Sequence, residues 1–310
     1  MNHIGILGAG AIGQLLHLQL SQPKTHTDSL HLIDRHNTRS QHIAHTTNNG
    51  IKAEYEAHFV SAQNPSEKLS NIQLLIVCVK AYQVTNALLP LLDKLQPQCH
   101  ILLFHNGMGP HLIIEKILQD SYPTLGLSLG TTSQGALKHD KWHIEQTGRG
   151  LTQFGHYYGP KMSTKLKQKL LDSLDNIQFC DPILPMLWQK LAVNATINPL
   201  TAIEQCKNGQ LIADQYYSTI DKLTDEVILV AKHDGIQLEK APLLKRIFDV
   251  ISLTKNNYSS MYQDIKHHRK SEIDNINGYL IQQAEKYQIA VPENRYLYRR
   301  IKQIESINND

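Results

Sequence analysis

The opening run IGILGAGAIGQLLHLQL constrains the fold more than any other stretch of this chain. A short apolar segment ending at Leu7 meets Gly8, Gly10 and Gly13 and passes straight into a helical pattern. Strand, tight turn and helix is the context in which glycines at that spacing have separate jobs. The first permits the turn, the second lets backbone approach a pyrophosphate, and the third lets helix and strand pack closely. The unpaired N–H groups of the helix start would face the phosphates. Gly8, Ala9, Gly10, Ala11, Ile12 and Gly13 are therefore candidate dinucleotide contacts. The next strand, LHLID, ends in Asp34, about twenty residues past the last glycine, as such a fingerprint requires. A carboxylate there suits the ribose hydroxyls of NAD and repels the 2′-phosphate of NADP, whereas the guanidinium of Arg35 would pair with that phosphate. The two residues leave both cofactors open.

Further strands are predicted in NIQLLIVCVKA, around residues 72 to 79, HILLFHNGMG, around 100 to 105, and LGLSLGTT, around 125 to 130. Helical stretches separate the earlier ones, which predicts an α/β unit with a mostly parallel sheet covered on both faces. Ligands on such sheets sit at the carboxyl ends of the strands, where Lys80 and Asn106 fall. WHIEQTGRG and LTQFGHY are expected to form an antiparallel hairpin pair closing the sheet.

After NIQFCD the strand signals stop. Amphipathic helices are predicted in ILPMLWQKLAVN, TDEVILVAKHDG, PLLKRIFDVI, YSSMYQDI and SEIDNINGYLIQQAEKY, with Glu272 in the first turn of the last, an ordinary place for a carboxylate. The expected division is a Rossmann-type domain over 1–180 and an all-α domain over 181–310. A length of 310 residues accommodates both.

Hydrophobic residues at 41%, charged residues at 19% and a net charge of +3 describe a soluble globular protein and give no reason to expect a nucleic-acid partner. No apolar run is long enough to span a bilayer and no basic lead-in marks a signal peptide, so a cytoplasmic location is expected. The four cysteines are far apart, and the seventeen histidines lack the spacing of a metal site, so neither disulfides nor a metal are expected.

The segment LWQKLAVNATINPL holds a second anomaly. At 100° per residue, Gln189 and Thr196 share one face and would form an ordinary wet edge. Lys190, Asn194 and Asn198, spaced four apart, make another polar stripe inside apolar surface, between Leu187 and Leu191 on one side and Val193 and Ile197 on the other. A single such lysine would be expected to snorkel. Three aligned polar residues make snorkelling a poorer account, and what the stripe faces has to come from elsewhere in the chain.

These landmarks occur in order with GAGAIGQL, VKAYQV, HNGMG, GTT, WQKLAVNATINPLTA, NGQL, SSMYQD, EIDNINGYL and VPEN, and over nearly its whole length the chain resembles the ketopantoate reductases. The resemblance implies a helical domain like the C-terminal domain of 6-phosphogluconate dehydrogenase and NADPH-dependent reduction of 2-dehydropantoate. It implies that Lys190 is the proton donor and that Glu272 places it and closes over cofactor and substrate. Asn194 and Asn198 would hold the substrate, Ser260 its carboxylate end, and Asn208 and Asn257 would line the site. Asn106 would meet both nicotinamide and substrate, while Arg35, Lys80 and Ala136 would contact NADPH, Arg35 reading the phosphate. Asp34 departs from the family, whose residue before that arginine is not an acid, and keeps NADH as a second candidate. The protein would be a monomer or homodimer acting on a small molecule. The alternatives are a related dehydrogenase of another 2-oxo or 2-hydroxy acid, a nicotinamide-sensing module without chemistry, and a structural helical protein.

Overall fold

The computed structural model describes residues 2–21, 29–35, 40–47, 49–63 and 67–307. The chain divides into two compact units, residues 1–105 with 110–183, and residues 106–109 with 184–310.

In the first unit the strands are β1 His3–Leu7, β2 Ser29–Asp34, β3 Gln41–Thr46, β4 Lys52–Ala57, β5 Phe59–Ser61, β6 Leu74–Val77, β7 His100–Phe104, β8 Gly126–Thr132, β9 Gly135–Asp140, β10 His143–Gly148, β11 Thr152–Tyr158 and β12 Ile177–Phe179. The helices are α1 Ala11–Ser21, α2 Glu67–Ser70, α3 Val84–Leu92, α4 Pro110–Ser121 and α5 Thr164–Ser173. Eight strands form one sheet in the order β12-β11-β8-β7-β6-β1-β2-β5, parallel except where β11 runs against β8. Its central strands read as continuous apolar runs because both faces are covered: LLIV of β6 is wholly buried, as is HILLF of β7.

The expected hairpin of WHIEQTGRG with LTQFGHY does not form. β10 pairs with β9 and β3 in a separate sheet of order β4-β3-β10-β9, while β11 lies between β8 and β12 of the large one. Both segments alternate as strands should, but alternation does not name a partner. The tight connection falls one strand earlier, between β9 and β10, where Asp140 Oδ1 accepts the N–H of Trp142 at 2.8 Å.

The second unit is helical: α6 Leu184–Ile203, α7 Asp214–His233, α8 Lys240–Leu253, α9 Ser260–Lys266, α10 Asn277–Lys286 and α11 Pro292–Ile307. Helix α6 is its axis. Trp188, Leu191, Ala192 and Ala195 pack with Val227, Val230, Ile273 and Leu280, whereas Val193, Ile197 and Leu200 pack with Leu211, Ile220, Ile247 and Ile251. Thr196 is fully buried rather than wet, because its hydroxyl donates to the carbonyl of Ala192 at 2.9 Å and needs no water. The stretch expected as one helix from Ser271 is two pieces, a 3-10 turn over Ile273–Asn275 and then α10, separated at Ile276, whose φ of −105° and ψ of −91° are not helical. Helix α11 was not anticipated. It starts on Pro292, which suits a first helical position, and the carboxylate of Glu226 caps it by accepting the N–H groups of Glu293 at 2.8 Å and Asn294 at 3.0 Å. Among the described residues no helix is long and apolar enough to cross a membrane.

Candidate active site

In the first unit β1 runs into the glycine turn, and the N–H of Gly8 bonds to the carbonyl of Ile33 on β2 at 3.1 Å. Gly8 has φ +109°, and a Cβ there would lie 2.8 Å from a methyl of Val79. A Cβ on Gly13 would lie 1.9 Å from the carbonyl oxygen of Gly8, so only glycine lets α1 close onto the turn. Gly10 differs: a Cβ there would meet nothing within 4 Å. Its backbone borders open space at the start of α1, where helix N–H groups favour an anion. Asp34 ends β2, and the exposed Arg35 follows it. Lys80 follows β6 and caps the 3-10 turn Ala81–Gln83, close in sequence to the Val79 that packs on Gly8. Ala136 belongs to the smaller sheet, opposite Gln146, on the strand against which α1 packs.

The second unit gathers Lys190, Asn106 and Glu272. The segment Asn106–Gly109 is held to the turn Ile273–Asn275 by the N–H of Met108, which donates to the carbonyl of Asn275 at 2.8 Å, and by Asn275 Nδ2, which donates to the carbonyl of Met108 at 3.3 Å. Gly107, with φ +75°, permits this approach, since a Cβ would lie 2.5 Å from the Asn275 carbonyl oxygen. Asn106 is thereby set between two charges. Its Oδ1 accepts from Lys190 Nζ at 2.9 Å, and its Nδ2 donates to Glu272 Oε2 at a long 3.4 Å. Ammonium on one side and carboxylate on the other fix the orientation of the amide.

Burial pushes the Lys190 amine down from its ordinary 10.5 to about 8; Glu272 opposes that shift and Arg246 adds to it. Glu272 is itself buried, at 4% exposure. Arg246 lies on α8, and its Nη1 donates to the neighbouring Gln189 at 3.0 Å. The result is an amine still protonated at neutral pH yet more acidic than a surface lysine.

The rest of the stripe is polar and receptive. Asn194 is half-buried and Asn198 is buried, and among the described residues no hydrogen bond engages either side-chain amide. Ser259 caps α9 by accepting the N–H of Tyr262 at 3.1 Å, and it also accepts from Thr201 Oγ1 at 2.8 Å, which ties the segment bearing the exposed Asn257 and Ser260 to α6. Asn208 joins through its N–H, which donates to the carbonyl of Asn257 at 3.0 Å. Its Nδ2 donates to Thr254 Oγ1 at 2.9 Å, and the Thr254 proton goes to the carbonyl of Val250. Asn208 Oδ1 is left buried, without a partner among the described residues. An acceptor in that state favours any donor that can reach it.

A helical unit bearing an acidified lysine, on a chain that begins with a glycine turn at a parallel sheet, defines a class: the two-domain dehydrogenases that use a dinucleotide. Comparison with known proteins narrows it. The model of the ketopantoate reductase PanE/ApbA family matches residues 4–159, and that of its C-terminal part matches residues 182–305. The chain belongs to the ketopantoate reductase family. The 2-dehydropantoate 2-reductase of Vibrio cholerae is 35% identical, covering 98% of each chain, and that of Yersinia pestis is 34% identical over 98% of this chain and 95% of its own. Among solved structures, a D-mandelate dehydrogenase with NADH and anilino(oxo)acetate superposes with a TM-score of 0.88 at 26% identity, covering 99% of this chain and 100% of that one.

Asn277, Asn294 and Glu226, which form a buried chain of hydrogen bonds ending on the Ala195 carbonyl of α6, are not legible in the sequence. The available signal was Pro199: a proline inside a buried helix leaves a carbonyl that something must satisfy.

Proposed function

We propose that this protein reduces 2-dehydropantoate to (R)-pantoate with NADPH in the cytoplasm, on the route to pantothenate and coenzyme A, with Lys190 delivering the proton to the former ketone oxygen. The observation that carries the reading is the acidified amine of Lys190, held 2.9 Å from Asn106 with Glu272 on the far side of the amide. A bound nicotinamide would supply hydride to the ketone carbon. The part of this chain is to meet the negative charge that grows on the ketone oxygen with a preoriented cation in a weakly solvated setting, and then to give up a proton. Glu272 keeps the amine charged and Asn106 fixes its direction. Asn194, Asn198 and the orphaned Oδ1 of Asn208 suit a polyfunctional substrate with a hydroxyl, since an analogue lacking it leaves buried amides unpaired. Ser260 serves the carboxylate end, Asn257 lines the site, and the Gly8–Gly13 turn, Lys80, Arg35 and Ala136 serve the dinucleotide.

A second reading is NADH-dependent interconversion of another 2-oxo and 2-hydroxy acid pair. It is favoured by Asp34 at the end of β2 and by the likeness to D-mandelate dehydrogenase with NADH. Nicotinamide absorbance followed with ketopantoate or phenylglyoxylate, under each cofactor, separates the two. The first reading expects rapid oxidation of NADPH with ketopantoate, and no oxidation above the blank would refute it. Arg35→Ala is expected to raise the KM for NADPH by about tenfold or more while barely changing that for NADH. Equal effects on both would transfer the assignment to NADH.

A further inference from the structure

We propose that Asn277 is a positioning residue for the reaction, which clamps the helix of Lys190 to the segment of Glu272 by filling a hydrogen-bond gap that Pro199 opens in α6. The inference rests on the assignment of Lys190 and Glu272 given above. Pro199 has no N–H to offer the carbonyl of Ala195, four residues earlier in α6. Asn277 Nδ2 donates to that carbonyl at 2.9 Å from another helix. Its second proton goes to Asn294 Oδ1 at 2.9 Å. Asn294 Nδ2 in turn donates to Glu226 Oε2 at 2.8 Å. Asn277 and Asn294 are fully buried, and Glu226 is 8% exposed.

The directions of these bonds are not arbitrary. A carboxylate and a carbonyl can only accept, so both amides must present nitrogen to them, and the Oδ1 of Asn294 is then left for Asn277. Every link has a single arrangement, from the Glu226 carboxylate on α7 to the backbone of α6 between Lys190 and Asn198. The placement matters as much as the bonding. Asn277 opens α10 directly after the 3-10 turn that Glu272 caps. A rigid tie from Asn277 to Ala195 therefore fixes the spacing between the amine of Lys190 and the carboxylate that keeps it charged. The donated bonds specify one geometry, with Asn277 Oδ1 buried and without a partner among the described residues, whereas loss of the amide leaves the Ala195 carbonyl without a donor and frees the two segments to separate.

The test uses the full-length protein carrying Asn277→Leu and, should the larger apolar side chain unsettle the fold, Asn277→Ala. NMR titration of the Lys190 side-chain carbon reads the amine directly, without turnover. If Asn277 sets the spacing, the carboxylate moves away and the Lys190 pKa falls below about 8, by about half a pH unit or more. In parallel kcat on ketopantoate falls about tenfold or more with little change in KM, as misplacement of a reacting group requires. In a Pro199→Ala background the chain supplies its own N–H to Ala195, and the cost of losing Asn277 should shrink. A folded variant whose Lys190 titration and kcat are both unchanged overturns the proposal, as does an equal loss in the two proline backgrounds. A wild-type protein that does not turn over ketopantoate, while Asn277→Leu still moves the Lys190 titration, would instead count against the assigned substrate and leave the clamp standing.

Discussion

Lys190→Met is expected to lower turnover of ketopantoate by about a thousandfold or more, since it removes both the charge that meets the developing alkoxide and the proton that quenches it. The loss should fall on kcat, with KM changed much less, because the amides of the stripe remain. Methionine keeps most of the aliphatic volume, so the fold should persist. The folded protein lowers this amine from 10.5 to about 8, so the unfolded chain binds the proton more tightly, and burying the charged form costs stability at every pH below about 8. That cost vanishes as pH rises from about 8 through 10.5. Thermal melting at pH 7 should show a Tm for Lys190→Met no lower than that of the wild type. A variant that is inactive because it has unfolded would contradict this account, and so would one that stays active.

Gly13→Ala is expected to cost about 3 kcal/mol or more of stability and to abolish dinucleotide binding over the range where the wild type saturates. The added methyl would fall 1.9 Å from the Gly8 carbonyl oxygen, which is backbone and cannot rotate away, so α1 would have to lift off the turn. Gly10→Ala is the informative control. Its methyl would meet no protein atom within 4 Å and should leave the melting temperature nearly unchanged. Dinucleotide affinity should nevertheless fall if phosphate occupies the space beside that residue. Normal binding by Gly10→Ala would place the phosphates elsewhere.

The parts of this architecture that sequence made legible are those governed by local rules. The glycine turn, its strand and its helix follow from backbone sterics over a few residues, and the apolar runs of β6 and β7 declare strands buried on both faces. Helical periodicity likewise exposed the stripe of Lys190, Asn194 and Asn198 between two apolar faces, because the angular position of a residue on a helix depends only on its number. What sequence could not supply was pairing between distant segments. β10 and β11 alternate alike, yet their partners depend on the rest of both sheets. Thr196 reads as polar, and only its bond to the Ala192 carbonyl reveals that it can be buried. Asn106 and Glu272 lie 166 residues apart, and their meeting depends on Gly107 and on a 3-10 turn that periodicity merges into a helix. Asn277 stayed hidden because a buried amide draws its meaning from the acceptors it meets.

The central claim is that a protonated Lys190, tuned by burial against Glu272, gives its proton to the substrate. The pH dependence of kcat for ketopantoate reduction measures this most directly. With the amine titrating near 8, kcat should hold steady through neutral pH and then fall tenfold for each further unit above about 8. A kcat that stays level to pH 10 would contradict the account, since the proton would then have another source.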